Sequence, residues 1–100
     1  MKKIYVCSPL RGDIKGNLKR AKEYCMAVSD AGHLPVCPHV YFTTFLADDD
    51  THQRELGMLY GLYLLDICDE LWYYGEPSEG MAAEIEYARA HGIKVVEKDA

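Results

Sequence analysis

The feature of this chain that most constrains its fold is the alternation of short apolar runs with longer segments of helical character. The runs are rich in β-branched and aromatic side chains and occupy residues 4–7, 34–37, 70–74 and 93–96. Continuous hydrophobicity over so few residues predicts strands that are buried on both faces, as in a parallel sheet. Helices between them would provide right-handed β-α-β crossovers. We therefore predict a small doubly wound α/β fold, Rossmann-like or flavodoxin-like, with about four parallel strands and helices on both faces.

Three segments between the strands carry helix signals. Residues 17–31 and 78–91 each precede a glycine, the residue that most readily adopts the left-handed conformation of a helix end. The acidic run Asp48-Asp49-Asp50 precedes the clearest helical period, and Asp50 with Gln53 resembles a capping box. We expect helices at all three places.

Length, charge and composition restrict the classes of function. We expect residues 1–100 to form a single domain, and a core this small, with Trp72 and Tyr60 to cover, predicts a homo-oligomer. The net charge of −5 opposes binding to a nucleic-acid polymer, whereas a small anion needs only a few local donors. No apolar run approaches the roughly 18 residues that cross a bilayer, so no membrane partner is expected. Four cysteines without C-x-x-C spacing predict reduced core thiols and a cytoplasmic protein.

Ligands of parallel α/β sheets bind beyond the carboxyl ends of the strands, which directs attention to the turns after them. The turn after the first run contains Ser8, Arg11 and Gly12. A guanidinium group offers forked donors to a phosphate or carboxylate, and a glycine lets backbone amides approach a ligand closely. The alternative is an ordinary solvated turn.

The turn after the third run combines more of these features. Ser78 is a candidate N-cap, and Gly80 removes side-chain bulk where the amides of a helix start would face the crevice. Glu84 follows on the second helical turn, and helical side chains lean toward the N-terminus, so its carboxylate could lie beside a bound anion. Tyr5 could orient that carboxylate. The alternatives are a surface glutamate and a core tyrosine.

Two other groups of residues contain side chains that can bind metals, but each group has a simpler interpretation. Cys37 and His39 form one close pair, short of the three or four ligands that zinc requires, so we expect His39 to be a pocket wall. The Asp48-Asp49-Asp50 run could hold a divalent cation, but helix capping explains it more simply. We predict no metal and no cofactor.

Two segments together resemble the nucleoside 2-deoxyribosyltransferase superfamily: residues 4–12 (IYVCSPLRG) and residues 78–88 (SEGMAAEIEYA). The likeness is closest to its deoxynucleoside 5′-monophosphate N-glycosidase branch, and the whole chain also resembles the short members filed as a domain of unknown function. In that branch a strand tyrosine lies six residues before an Arg-Gly turn, and a serine lies six residues before the catalytic glutamate. Tyr5 with Arg11, and Ser78 with Glu84, have these spacings.

The resemblance implies an enzyme that hydrolyses or transfers at the N-glycosidic bond of a (deoxy)nucleoside or nucleoside 5′-monophosphate. Glu84 would be the nucleophile, or the anion that stabilises an oxocarbenium-like centre. Tyr5 would position it, while Arg11, Gly12 and Ser78 would hold the 5′-phosphate. The expected partner is thus a small nucleoside or nucleotide.

One position departs from the superfamily pattern. Gly61 stands where the superfamily usually has an aspartate, and Asp66, the nearest acid, is expected to face elsewhere on its helix. A non-catalytic nucleotide-binding module on the same fold therefore remains an alternative. A purely structural or interaction domain is a third possibility.

Overall fold

A four-stranded parallel sheet forms the centre of the molecule in the computed structural model, which describes residues 1–99. The elements follow one another in the order β1 (Lys3–Cys7), α1 (Ile14–Asp30), β2 (Leu34–Val36), α2 (Pro38–Phe42), α3 (Thr51–Asp66), β3 (Glu70–Tyr74), α4 (Glu79–Ala90) and β4 (Lys94–Lys98). The strand order across the sheet is β2-β1-β3-β4. The predicted α/β fold with about four parallel strands is confirmed.

The strand β1 lies inside the sheet and is paired on both edges. Tyr5 stands opposite Val36 of β2 on one side and opposite Leu71 of β3 on the other. Because all four strands run in the same direction, the turns that follow β1, β2 and β3 meet at one edge of the sheet. That edge carries the candidate site.

Successive side chains of β1 enter two different layers of the core. Tyr5 and Cys7 pack beneath α3 and α4, whereas Ile4 and Val6 pack beneath α1. All four are at most 1% exposed. Burial of each large apolar side chain contributes roughly 1.5–3 kcal/mol, and burial on both faces is why the strand has no polar alternation.

The first helix begins three residues earlier than the sequence pattern predicts. Asp13 is its N-cap and accepts a hydrogen bond from the Gly16 amide at 3.1 Å, so the helix starts at Ile14. Asn17 consequently lies in its first turn instead of at its start, and its buried side chain faces the turn after β1.

The acidic run caps α3, as predicted, but only half of the capping box forms. Asp50 Oδ1 accepts from the Gln53 amide at 2.9 Å. The Gln53 side chain accepts from the Ala47 amide at 2.7 Å and thereby fixes the preceding loop instead of the cap residue. The sequence pattern did not predict the short helix α2, which begins at Pro38.

The expectation that Trp72 needs a second molecule to cover it is wrong. Its ring is only 9% exposed, its Nε1 donates to Glu70 Oε1 at 2.9 Å, and the Lys98 ammonium lies 4.1 Å from the ring centre. Tyr60 is half-buried beside Phe42. The homo-oligomer stays a prediction and now rests on other exposed aromatic side chains: Tyr41, Phe45 and Tyr63.

All four cysteines are thiols without a disulfide partner; Cys7 and Cys68 are buried, and Cys25 and Cys37 are half-buried. Across residues 1–99, no helix combines the length and the apolar character needed to cross a bilayer.

Candidate functional site

A cavity of about 710 Å³ opens at the carboxyl edge of the sheet. Its walls come from the turn after β1, from α2 and the loop that follows it, from α3, and from the start of α4. Seven of the eight predicted site residues line it: Ser8, Arg11, Gly12, His39, Ser78, Gly80 and Glu84. The eighth, Tyr5, lies behind the cavity wall in contact with Glu84. The structure therefore brings all eight residues together.

The Glu84 carboxylate receives a hydrogen bond on each of its oxygens. The Tyr5 hydroxyl donates to Oε2, and the Cys7 thiol donates to Oε1 at 3.5 Å. Tyr5 and Cys7 are two positions apart in β1, so both side chains leave the strand on the face that α4 covers. Cys7 was missed as a site residue, although its spacing from Tyr5 is the signal that could have found it.

The surroundings of this pair shift both pKa values upward. Burial raises the pKa of Glu84, and the hydrogen bonds from Tyr5 and Cys7 act in the opposite direction. Burial and then the neighbouring Glu84 charge raise the pKa of Tyr5 well above its ordinary range. The phenol therefore stays protonated and remains a donor, while the poorly solvated carboxylate is suited to act as a nucleophile.

Gly61 of α3 lies beside this pair. A β-carbon built on Gly61 would be 3.0 Å from Tyr5 Oη and 3.6 Å from Glu84 Oε2. Asp66, five residues further along, is exposed and accepts a hydrogen bond from the Tyr87 hydroxyl at 2.6 Å. It does not line the cavity.

The start of α4 has the serine N-cap that the sequence predicts, while its binding of an anion stays a prediction. Ser78 is its N-cap, and the Ser78 Oγ accepts from the Met81 amide at 3.3 Å. The space around Gly80 is open, because a β-carbon there would meet nothing within 4 Å. The first amides of a helix have no acceptor within the helix, so they can bind a ligand in the cavity.

The turn after β1 is held in place by the side chain of Asn17. Its Nδ2 donates to the carbonyl oxygens of Leu10 and Arg11 at 2.9 and 3.2 Å, and its Oδ1 accepts from Arg20 at 2.8 Å. Gly12, at φ 95°, completes the turn in a conformation that glycine adopts without strain. The sequence pattern placed Asn17 at a helix start and gave no signal of this second role.

Ser8 and His39 form the wall between β1 and α2. His39 Nε2 lies 2.9 Å from the Ser8 carbonyl oxygen, and because a carbonyl only accepts, Nε2 carries the hydrogen. Burial lowers the pKa of His39, so the neutral ring has a lone pair on Nδ1. Ser8 is 1% exposed, and its Oγ has no hydrogen-bond partner within the described residues.

Two arginines, Arg11 and Arg54, line the cavity. Arg11, with a side chain 67% exposed, has its Nε 3.4 Å from Asp48 Oδ2. Arg54, which the sequence pattern did not single out, donates to the Asp48 carbonyl oxygen at 3.3 Å. Asp48 is thus in contact with both arginines. Within residues 1–99, no three His, Cys, Asp or Glu side chains are grouped as a metal site would require.

Comparison with known families gives a match over nearly the whole chain. The family model described as a domain of unknown function (DUF7768) matches residues 2–98. The chain belongs to this family. A search of curated protein sequences gives no match to this DUF7768 chain.

Two solved structures share the fold of this DUF7768 domain. A 2-deoxyribosyltransferase from the psychrotolerant bacterium Bacillus psychrosaccharolyticus superimposes with a TM-score of 0.77 at 19% identity, covering 97% of this chain and 72% of that one. A conserved protein from Enterococcus faecalis V583 gives a TM-score of 0.72 at 22% identity, covering 97% and 62%. At these identities the likeness establishes the fold. The predicted superfamily and its branch stay predictions.

Proposed function

We propose that this DUF7768 protein hydrolyses or transfers the N-glycosidic bond of a (deoxy)nucleoside or nucleoside 5′-monophosphate, with Glu84 as the nucleophile. The observation that carries the proposal is the Glu84 carboxylate, hydrogen-bonded by Tyr5 at the wall of a cavity of about 710 Å³. The fold shared with a 2-deoxyribosyltransferase supports it.

In the proposed reaction a Glu84 carboxylate oxygen attacks the anomeric carbon of the sugar. The carbon–nitrogen bond breaks, and the base leaves with the bonding electron pair and takes a proton from solvent. Water then attacks the anomeric carbon of the glycosyl ester, the carbon–oxygen bond to Glu84 breaks, and one proton of the water passes to solvent, which gives the free sugar or sugar phosphate. If a second base attacks instead, the product is a new nucleoside; either route returns Glu84 as a carboxylate. Tyr5 remains a neutral donor throughout and holds the carboxylate in orientation.

The opposite end of the substrate would be held by the two turns. The guanidinium of Arg11 and the amides at the start of α4, near Ser78 and Gly80, both favour a phosphate dianion. Gly12 leaves room for the phosphate, and Ser8 and His39 form the neighbouring wall. Binding at a distance from the reacting bond would orient the anomeric carbon toward Glu84.

The test is release of free base from a panel of nucleosides and deoxynucleoside 5′-monophosphates, measured by chromatography. We expect Glu84→Ala to abolish release and Glu86→Ala, on the exposed face of the same helix, to preserve it. Base release that is unchanged in Glu84→Ala would contradict the proposed mechanism.

A second candidate is a non-catalytic nucleotide-binding module on the same fold. It is favoured by Gly61, which has no side chain beside Glu84, and by Asp66, which accepts a hydrogen bond from Tyr87 and does not itself line the cavity. Nucleotides that raise the melting temperature without any base release over long incubation would select this candidate.

A further inference from the structure

Cys7 is held among the least accessible side chains of the molecule, yet its thiol reaches the carboxylate at the cavity wall. The residue is 1% exposed, and its Sγ lies 3.5 Å from Glu84 Oε1 and 3.9 Å from the Met81 carbonyl oxygen. Glu84 Oε1 is thus the closer of the two acceptors.

The thiol can act only as a donor in this position. Burial, followed by the neighbouring Glu84 charge, raises the pKa of Cys7 far above its ordinary value. A protonated thiol donates to a carboxylate, whereas a thiolate would repel it. Among the described residues, the titratable side chains that hydrogen-bond to the carboxylate are Tyr5 and Cys7, both on β1, and Gly61 of α3 lies beside the pair.

We propose, building on the function proposed above, that Cys7 is a positioning residue for Glu84, whose thiol holds Oε1 while Tyr5 holds Oε2. One hydrogen bond on a single oxygen leaves the carboxylate able to turn about its terminal carbon–carbon bond. Donors on both oxygens fix the plane of the group. Because Tyr5 and Cys7 belong to one doubly paired strand, the sheet itself sets that plane.

The test compares Cys7→Ala, which removes the donor, with Cys7→Ser, which keeps one. Cys68→Ala is the matched control, because Cys68 is buried in the same core layer and its thiol donates to the Leu64 carbonyl oxygen at 3.2 Å, away from Glu84. Circular dichroism first establishes folding. If Cys7→Ala does not fold, Cys7→Val, which fills the space without a donor, replaces it.

The first measurement is the titration of Glu84 by NMR in protein labelled with ¹³C at the glutamate carboxyl, assigned by the signal lost in Glu84→Gln. Loss of a donor to the charged form should raise the Glu84 pKa by roughly half a unit in Cys7→Ala. Cys7→Ser should stay at or below the wild-type value, and Cys68→Ala should match wild type. A shift in Cys7→Ala no larger than that in Cys68→Ala would overturn the proposal.

The second measurement is base release. We expect kcat to fall about fivefold in Cys7→Ala with KM nearly unchanged, and to recover in Cys7→Ser, because orientation and not binding is lost. The acid limb of the pH profile should move upward with the NMR titration. Failure of Cys7→Ser to recover would also overturn the proposal. If wild type releases no base, the proposed function fails, but the NMR titration needs no substrate and still decides the role of Cys7.

Discussion

Gly61 lies against the hydroxyl oxygen of Tyr5 with no space between them for a side chain. A β-carbon on Gly61 would be 3.0 Å from that oxygen and 3.9 Å from Pro38 Cγ. The contact with the Tyr5 hydroxyl is tighter than ordinary van der Waals contact, so one of the two groups would have to shift by a few tenths of an ångström, whereas the distance to Pro38 is ordinary. The backbone of α3 thus forms the back wall of the Tyr5–Glu84 pair, and a larger residue at position 61 would displace the carboxylate or its donor.

We expect the Gly61→Ala protein to be less stable than the Gly57→Ala protein, which carries the same substitution elsewhere in α3. Alanine is favoured over glycine inside a helix by about 1 kcal/mol, and Gly57→Ala should gain it, because its β-carbon would meet Leu46 at an ordinary 3.7 Å. In Gly61→Ala the contact with Tyr5 should cancel that gain, leaving its free energy of unfolding about 1–2 kcal/mol below that of Gly57→Ala. Urea denaturation measures both. Equal stabilisation of the two variants would show that position 61 is not crowded.

Glu84→Gln should stabilise the protein increasingly as the pH rises. The folded-state pKa of Glu84 is raised by burial, so the native state binds this proton more tightly than the unfolded chain. The associated stability is present at low pH and is lost as the pH rises through the raised pKa. Glutamine does not ionise, so Glu84→Gln does not lose stability in this way as the pH rises.

Melting temperatures measured from about pH 4 to about pH 8 therefore check whether the gap between Glu84→Gln and wild type widens. Glu86→Gln on the exposed face of α4 is the control and should follow wild type throughout. A gap that is constant with pH would mean that burial of Glu84 does not disfavour its charge.

Asn17→Asp should destabilise the turn that carries Arg11. The side-chain amide donates to two carbonyl oxygens, whereas a carboxylate would face them with no hydrogen to donate. Loss of these bonds in a buried place should cost about 1–3 kcal/mol of unfolding free energy. Arg20→Ala, which removes the half-exposed partner of Asn17 Oδ1 and an exposed salt bridge of 3.7 Å to Asp13, should change stability by less than about 0.5 kcal/mol. A similar loss in both variants would contradict this assignment.

Arg11→Ala should discriminate between phosphorylated and unphosphorylated ligands. One charge-assisted contact to phosphate predicts a rise in Kd of roughly 10- to 100-fold for a nucleoside 5′-monophosphate and almost none for the nucleoside. Lys22→Ala, which removes an exposed charge from α1, is the control for net charge. Isothermal titration calorimetry with both ligands measures the difference. Equal weakening of the two ligands would place Arg11 outside the phosphate contact.

The fold was predictable because its strands are short, apolar and bounded by turn residues. The β3 strand has the predicted bounds, Glu70–Tyr74, and stops before Gly75 at φ 79°. The helix α2 was not predicted, since five residues are too few to show a helical period. The early start of α1 was missed because its cap, Asp13, belongs to the same turn as Arg11.

The site residues could be predicted from the sequence only where the end of a strand determines where a residue lies. Tyr5 and Glu84 are 79 positions apart, yet the rule for parallel sheets brings both to one edge. Cys7 was missed although its two-residue spacing from Tyr5 could have found it, whereas Asn17 acts through contacts with a turn that no periodicity reveals. The expectation for Trp72 was wrong for the same reason, since its partners Glu70 and Lys98 are identified only by the fold. The catalytic and binding roles themselves stay predictions.

Because β1 is paired on both edges, we expect the two ends of the cavity to move on different timescales. Residues 3–5 of β1 pair with β2 and residues 4–7 pair with β3, so we expect its amide hydrogens to exchange with solvent only when the sheet opens. The orientation of the carboxylate should therefore persist as long as the native state does. Arg11, on a turn with its side chain 67% exposed, can rearrange far faster. Under the proposed function, the protein would thus combine a rigid nucleophile with an adaptable phosphate contact, and ligands that differ at the 5′ end would enter without disturbing Glu84.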